Sequence, residues 1–294
     1  MNYQNNIPKN FSGLKVLTAG IPLSTPKPQT MTKGIDRVLE LGLDGIEVEF
    51  VHGVRNKESD LINFGNYGKE KGIIFTAHAP YYINLNAKEN EKYEKSKEHI
   101  IKTMLAAEKI GAWSMVFHPA FYLGDSPSDV TKRVIKAIEE INISLESLSF
   151  PFNVWLRPET MGKPSQFGSL EEIVEISKHF TNVLPCIDFA HLYARSIGNY
   201  NSEKEIFGIF EYIGNELGDI ALKNMHIHIS GIEYGDKGEK YHTTFEESKF
   251  HYEYVIKAIK HFGVEGVIVS ESSNVEYDGI VIKNYYKKLG EDYA

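Results

Sequence analysis

The sequence predicts a single (β/α)₈ barrel over residues 1–294, and three observations lead to this fold class. Short apolar runs alternate with longer amphipathic stretches, a texture typical of buried parallel strands and the helices that cover them. The alternation repeats eight times without a Pro-, Gly- or Ser-rich linker. A chain of 294 residues is also of the usual length for such a barrel. A doubly wound open sheet is the alternative, but the first strand is not followed by a glycine-rich dinucleotide motif.

Each element follows from its own pattern. Apolar or β-branched runs predict strands, in chain order, at 14–20, 45–50, 73–79, 114–120, 152–160, 183–190, 225–231 and 266–272. Apolar residues at three- and four-residue spacing predict helices at 30–41, 59–71, 89–110, 127–147, 169–180, 202–217, 247–261 and 276–289. Some helices have a clear start signal, such as Ser169 before Leu170, Glu171 and Glu172. One helix follows each strand, as the barrel requires.

Composition limits the function classes. Hydrophobic residues make up 42% of the chain and charged residues 24%, which is enough for a large core and excludes a disordered protein. The formal charge of −8 argues against a broad basic DNA-binding face but leaves room for a local basic cleft. A single cysteine, Cys186, excludes an internal disulfide. No apolar run is long enough for a membrane helix, and the segment MNYQNNIPKN lacks a signal-peptide core. We therefore expect a cytoplasmic protein with no membrane partner. The sequence leaves the oligomeric state open, and a monomer is favoured.

Potential metal ligands stand at the ends of six consecutive predicted strands, where a barrel builds its active site. They are His78, His118, Glu159, Asp188 with His191 in the following loop, His226 and His228, and Glu271. One such residue alone is usually structural: a strand-end histidine is often a hydrogen-bonded core residue, and Asp188 with His191 also fits a helix cap or a turn. Together they predict a metal centre. Imidazole and carboxylate ligands suit zinc, manganese or iron, and their number exceeds one tetrahedral zinc site.

At these residues the chain resembles the endonuclease IV family, within the xylose isomerase-like barrel superfamily, from about residue 14 to about 290. The matching motifs are HAPYYINL (78–85), FHPAFY (117–122), RPETMGK with SQFGS (157–169), IDFAHLYAR (187–195), HISG (228–231), KYH (240–242) and SES (270–272).

The resemblance implies two or three divalent ions, with zinc as the first expectation and manganese as the alternative. It places the first ion on His78, His118 and Glu159. A second ion would share Glu159, which is also the implied catalytic residue, and add Asp188, His228 and Glu271. A third would be held by His191 and His242 with an aspartate two residues before His242.

Three positions depart from the family pattern or add to it. Lys240 stands where the aspartate is expected, with Glu239 beside it. Glu239 could replace that ligand, the third site could be weaker, or Lys240 could bind a substrate phosphate. We expect Lys240→Asp to tighten the third ion. His226 is either an extra ligand or a group that orients one. Arg55 lies in the segment VHGVRNKES, which also differs from the family but could still contact a backbone phosphate. Tyr81 matches the family: the resemblance implies contact with DNA near the lesion, and a packed aromatic ring is the alternative.

The implied reaction is hydrolysis of the phosphodiester 5′ to an abasic site, so the expected partner is damaged duplex DNA. A metal-dependent sugar isomerase or epimerase on the same barrel is the alternative, because Glu159, Asp188, His228 and Glu271 would serve one metal and a small sugar equally well. The segment LGLDGIEVEF (41–50), with Glu47 and Glu49, also fits that class. A non-catalytic nucleic-acid-binding barrel is a third possibility. His78 and His118 discriminate, because a one-metal isomerase does not need them.

Overall fold

The computed structural model describes residue 8 and residues 11–291. The polar segment 1–10, on which the prediction about a signal peptide rests, therefore lies outside the described residues except for Pro8. The described chain groups into two compact units. The first unit consists of Val48–Met161 and Ser165–Pro185, and the second of 11–47, Gly162–Pro164 and 186–291. The prediction that residues 1–294 form one domain stays a prediction.

Strands and helices alternate along most of the described chain. The strands are β1 (Leu14–Ala19), β2 (Gly45–Glu49), β3 (Ile74–His78), β4 (Ser114–Phe117), β5 (Ala120–Phe121), β6 (Trp155–Pro158), β7 (Gln166–Phe167), β8 (Cys186–Asp188), β9 (Met225–Ile229), β10 (Gly231–Gly235), β11 (Gly238–Thr243) and β12 (Gly266–Ser270). The helices are α1 (Met31–Glu40), α2 (Glu58–Lys71), α3 (Asn90–Ile110), α4 (Pro127–Ser147), α5 (Leu170–Lys178), α6 (Phe189–Arg195), α7 (Glu203–Leu217), α8 (Asp219–Leu222), α9 (Tyr252–His261) and α10 (Glu276–Glu291).

Within the described chain, eight strands belong to one sheet in the order β6-β4-β3-β2-β1-β12-β9-β8. In the first unit, β3 pairs with β4 and β4 with β6, both in parallel. In the second unit, β2 pairs with β1, β1 with β12, β12 with β9 and β9 with β8, again in parallel. Strand β2 is shared, since 45–47 belong to the second unit and 48–49 to the first. The eight predicted strand–helix repeats are confirmed.

Local sequence explains where the helices begin and end. Ser169 and Ser202 start α5 and α7 with complete capping boxes, in which the serine and a glutamate three residues later each accept a backbone N–H. Gly72 and Gly111 end α2 and α3 in the left-handed conformation, which glycine adopts without strain. Among residue 8 and residues 11–291, no helix combines the length and the apolar character needed to cross a bilayer.

The sequence patterns missed four short features. Two small antiparallel sheets, β5 with β7 and β10 with β11, lie in segments predicted as strand ends or loops. Helix α6 begins directly after Asp188, and the four-residue α8 precedes β9. Both α6 and the β10–β11 hairpin contribute side chains to the candidate site.

Candidate metal centre

The first unit brings together three side chains at the carboxyl ends of β3, β4 and β6. Nε2 of His78 lies 3.3 Å from Oε2 of Glu159, and Nε2 of His118 lies 3.1 Å from the same oxygen. The two imidazole rings are nearly perpendicular, with centroids 5.1 Å apart. Ligand atoms about 2.0–2.1 Å from a tetrahedral ion are separated by roughly 3.3 Å. The predicted first ligand set therefore has the spacing of a metal site.

The chemistry of this first cluster also fits a divalent cation. Nδ1 of His78 lies 2.7 Å from the carbonyl oxygen of Ala79, so Nδ1–H donates there and the lone pair of Nε2 faces Glu159. Glu159 is 1% exposed. Burying a carboxylate is unfavourable unless a positive charge accompanies it, and a bound cation would supply that charge.

Arg157 precedes Glu159 by two residues, and the period-two alternation predicts a shared strand face for Trp155, Arg157 and Glu159. Its guanidinium is fully buried and lies over two rings, 4.8 Å from the centroid of Trp113 and 5.2 Å from that of Trp155. Nη1 donates to the carbonyl oxygen of Pro185 at 3.3 Å. These contacts hold the Arg157 side chain in the first unit, two residues before Glu159.

In the second unit, Asp188, His228 and Glu271 follow or end β8, β9 and β12. Each offers a ligand atom within 4.8 Å of the others. Nδ1 of His228 lies 3.2 Å from Oε1 of Glu271. Asp188 and His228 are fully buried, and the Glu271 side chain is 13% exposed. The second unit thus brings together three of the four predicted ligands of the second ion.

Asp188 also has a structural role, which explains its spacing from His191. Oδ1 of Asp188 accepts the backbone N–H of His191 at 2.7 Å and caps α6. Oδ2 lies 3.3 Å from Nδ1 of the His191 ring. Asp188 and His191 can therefore form a helix cap and also act as metal ligands, because the cap places the His191 ring beside the same carboxylate.

A third group in the second unit consists of Asp188, His191 and His242. Nε2 of His191 and Nε2 of His242 face each other at 3.4 Å. Burial lowers the pKa of the His242 imidazole, and the neighbouring His191 lowers it further. A neutral imidazole keeps the lone pair that a metal needs, so the lowered pKa suits His242 to the role of a metal ligand.

The β10–β11 hairpin decides which residue accompanies His242. Glu233 pairs with Tyr241 and the next residue, Tyr234, pairs with Glu239. Lys240 is therefore an extra, unpaired position in the register of β11, which is a β-bulge. Such a bulge reverses the alternation of faces. Oε2 of Glu239 lies 3.6 Å from Nε2 of His191. The Lys240 side chain is 54% exposed, and its Nζ lies 3.5 Å from Oε1 of Glu233.

Gly162 makes room for Glu239 and His191. A Cβ at this position would lie 2.6 Å from Oε2 of Glu239 and 3.0 Å from Cδ2 of His191. We expect Gly162→Ala to displace the Glu239 carboxylate and to weaken binding of the third ion at least tenfold, within the roughly 10–100-fold cost of disturbing a ligand's support. Metal titration of the metal-free protein measures this. Gly208→Ala is the control, since a Cβ there meets nothing within 4 Å; equal effects of the two substitutions would contradict the expectation.

Glu47 is a partner that the sequence motifs did not assign. Its fully buried carboxylate lies between two imidazoles: Oε2 is 3.1 Å from Nε2 of His226, and Oε1 is 2.9 Å from Nε2 of His228. Burial opposes ionisation of Glu47, but His228 and His226 outweigh it and hold the pKa of the carboxyl well below its usual value. This contact with Glu47 is compatible with both predicted roles of His226, which are to orient a neighbouring ligand or to bind a metal itself.

The predicted substrate contacts lie at exposed positions. Tyr81 is 53% exposed, with its ring against those of His52 and Tyr82 at centroid distances of 6.1 and 5.6 Å. Arg55 is exposed in the segment between β2 and α2. Lys240 is exposed on the outer side of its hairpin. Substrate binding by these three residues stays a prediction.

Comparison with known proteins gives the family context. A family model described as a xylose isomerase-like TIM barrel matches residues 35–287. An uncharacterized protein from Methanocaldococcus jannaschii is 44% identical over 272 residues, which cover 92% of this chain and 96% of that protein. A probable endonuclease 4 from Geobacillus sp. (strain WCH70) is 28% identical over 192 residues, which cover 63% of this chain and 60% of that protein.

Solved structures resemble the fold at low sequence identity. A D-tagatose 3-epimerase-like protein has a TM-score of 0.71 at 18% identity, covering 95% of this chain and 100% of its own. Endonuclease IV from Thermus thermophilus has a TM-score of 0.67 at 17% identity, covering 94% of this chain and 99% of its own. At these identities the likeness is one of fold, so the choice of chemistry rests on the side chains.

Proposed function

The chain belongs to the xylose isomerase-like TIM barrel family, and from this premise we propose that it is a metal-dependent phosphodiesterase that cleaves duplex DNA on the 5′ side of abasic sites. One observation carries the proposal: His78 and His118 converge on the buried carboxylate of Glu159. This cluster adds a metal position to the ligands at β8, β9 and β12. Two ions can bind both the attacking and the leaving oxygen of a phosphodiester, whereas the one-metal isomerase that is the alternative would use only one.

The residues then take distinct roles. Divalent ions held by the three ligand groups would supply Lewis-acid stabilisation of the charge that develops on the phosphate. Glu159, whose carboxylate faces His78 and His118, orients the attacking water and accepts its proton. Tyr81 and Arg55 are exposed side chains that can contact an unstacked nucleotide and a backbone phosphate. We further propose that Glu239, rather than Lys240, completes the third ligand group.

A paired assay tests the proposed function. The purified protein is incubated with a duplex that contains one abasic site and, separately, with ketohexoses such as D-tagatose. We expect incision 5′ to the lesion, and we expect His118→Asn to reduce it by about 10²-fold or more, the scale of losing one transition-state contact. Epimerisation of a sugar that survives His118→Asn, with no incision, would contradict the phosphodiesterase.

A sugar epimerase is the second candidate, and the formal charge of −8 favours it over a DNA enzyme. In that reading Glu159 and Glu271 move protons at the carbons beside a metal-polarised carbonyl. His78 and His118 would then be structural, and their replacement would change stability more than turnover.

The hairpin bulge makes a prediction about the third ion. Glu239 faces His191 and Lys240 faces solvent, so we expect Glu239→Gln to weaken binding of that ion about tenfold or more. The exposed position of Lys240 beside Glu233 replaces the sequence-based expectation for Lys240→Asp. Lys240→Gln and Lys240→Asp should both leave the metal content unchanged. Calorimetric titration of the metal-free variants compares them. Tighter binding in Lys240→Asp would mean that position 240, not 239, supplies the ligand.

Tyr81 makes a prediction about substrate binding. Stacking on an aromatic ring contributes about 1–3 kcal/mol per base, so we expect Tyr81→Ala to raise KM for abasic duplex roughly tenfold with little change in kcat. Tyr81→Phe is the matched variant, because it keeps the ring and should behave as the parent protein. An unchanged KM in Tyr81→Ala would remove this residue from the substrate site.

A further inference from the structure

A second set of potential ligands lies two residues before Asp188 on β8 and two residues before His228 on β9. Cys186 and His226 are register partners on these two strands, as Asp188 and His228 are. Cys186, His226 and His228 are all fully buried. Each offers a ligand atom, and these atoms lie within 4.8 Å of one another. The phosphodiesterase proposed above uses neither Cys186 nor His226.

We propose that Cys186, His226 and His228 form an inner metal position, which shares His228 with one outer ligand group and binds Zn²⁺ or another thiophilic divalent ion. A thiolate with two imidazoles is a ligand set that zinc and cobalt accept readily and that magnesium and manganese do not. Three protein ligands leave one tetrahedral position open, as in many zinc sites.

Glu47 supplies the support that such a position requires. Its carboxylate spans the two imidazoles, 3.1 Å from Nε2 of His226 and 2.9 Å from Nε2 of His228. A carboxylate behind a ligating histidine takes the proton of one ring nitrogen and leaves the lone pair of the other for the metal. Glu47 thus directs Nδ1 of both rings away from itself.

The charges of the inner group balance when an ion is present. The Cys186 thiolate and the Glu47 carboxylate contribute two negative charges, and a divalent ion contributes two positive charges. A neutral cluster can be buried at far lower cost than an uncompensated charge. Binding requires the thiol to lose its proton, which leaves as the ion enters.

His228 links the inner position to the outer ligands. Its Nδ1 lies 3.2 Å from Oε1 of Glu271, while its Nε2 faces Glu47. One nitrogen binds one ion, so the inner position and the Asp188–Glu271 position compete for Nδ1 of His228. Thiophilic ions should favour Cys186, and hard ions such as Mn²⁺ should favour the two carboxylates. The identity of the supplied metal would then decide which position is filled.

Cobalt spectroscopy tests the inner position directly. Cys186 is the only cysteine in the chain, so a thiolate-to-cobalt charge-transfer band in the metal-free protein titrated with CoCl₂ can come from no other side chain. We expect a band whose final intensity corresponds to one cobalt–thiolate bond per chain, which is absent in Cys186→Ser and reduced in His226→Asn. Titration with MnCl₂ beforehand should delay its appearance.

Two results would overturn the inner position. One is a protein fully loaded with cobalt that shows no thiolate band, which the parent chain alone can establish even if a variant fails to fold. The other is a band that is unchanged in His226→Asn. His78→Asn separates this test from the proposed reaction, because it should abolish DNA incision while leaving the cobalt–thiolate band intact. The spectrum is therefore informative whatever substrate the protein has.

Discussion

Glu159→Gln is expected to reduce the incision of abasic duplex by about 10³-fold, while the protein stays folded. The amide has nearly the same shape as the carboxylate, but it carries no charge and accepts no proton, and general-base catalysis contributes about 10²–10⁴-fold. Glu159 lies within 3.3 Å of both His78 and His118, so the variant should also lose at least one bound ion. The resemblance to endonuclease IV predicts that it loses two.

A matched substitution separates this effect from a loss of fold. Glu172 lies in the same unit, completes the capping box of α5 and accepts a hydrogen bond from the Tyr122 hydroxyl. Glutamine serves a capping box as well as glutamate does, so Glu172→Gln should keep metal content and turnover. Incision rate, metal content and thermal unfolding are measured for both variants. Turnover near the parent value in Glu159→Gln would remove Glu159 from the mechanism.

Substitutions at Asp188 should separate the two roles of this residue. Asparagine caps a helix as well as aspartate does, whereas alanine in place of a cap costs about 0.5–2 kcal/mol. We expect both Asp188→Asn and Asp188→Ala to lose bound metal. In both variants the activity should fall by about 10²-fold or more. Only Asp188→Ala should lower the free energy of unfolding of the metal-free protein, because it also removes the cap on α6.

Urea denaturation of the metal-free variants provides the comparison. Asp188→Asn should be at least as stable as the parent, since it retains the bond to the His191 amide and removes a fully buried carboxylate. Full metal content and activity in Asp188→Asn would mean that Asp188 is only a helix cap.

The repeating elements of the fold could be predicted from the sequence, and the family match confirms the barrel class. Buried parallel strands are nearly continuous apolar runs, and the helices that cover them repeat an apolar stripe, so each pattern depends on residues close in sequence. The period-two alternation also placed His226 with His228, and Arg157 with Glu159, on shared faces. The ends of the elements were less accurate, as at 183–190, where the strand is Cys186–Asp188 and a helix follows at once.

The positions of Glu239 and Lys240 could not be predicted, because they depend on pairing between two short strands. A motif that counts two residues back from His242 assumes a regular strand. The extra residue in β11 reverses that count. Gly235 and Gly238 mark a tight hairpin, but they do not reveal which residue the register leaves unpaired.

Glu47 was missed for a different reason. It lies on β2, far along the chain from His226 and His228, and a single sequence contains no signal that joins them. The repeat IEVE placed a carboxylate inside the sheet as a possibility, but the choice of its partner is a matter of tertiary packing. A buried glutamate on one strand and two alternating histidines on another are the only hint, since each needs an ionic or hydrogen-bonding partner when buried.

The number of ions in the freshly purified protein, measured by mass spectrometry without added metal, tests the metal-centre account most directly. We predict two or three zinc equivalents per chain, falling by at least one in His78→Asn. A single manganese or magnesium equivalent that is unchanged in His78→Asn would mean that His78, His118 and Glu159 do not build a site of their own. That result would contradict the phosphodiesterase and leave the one-metal epimerase.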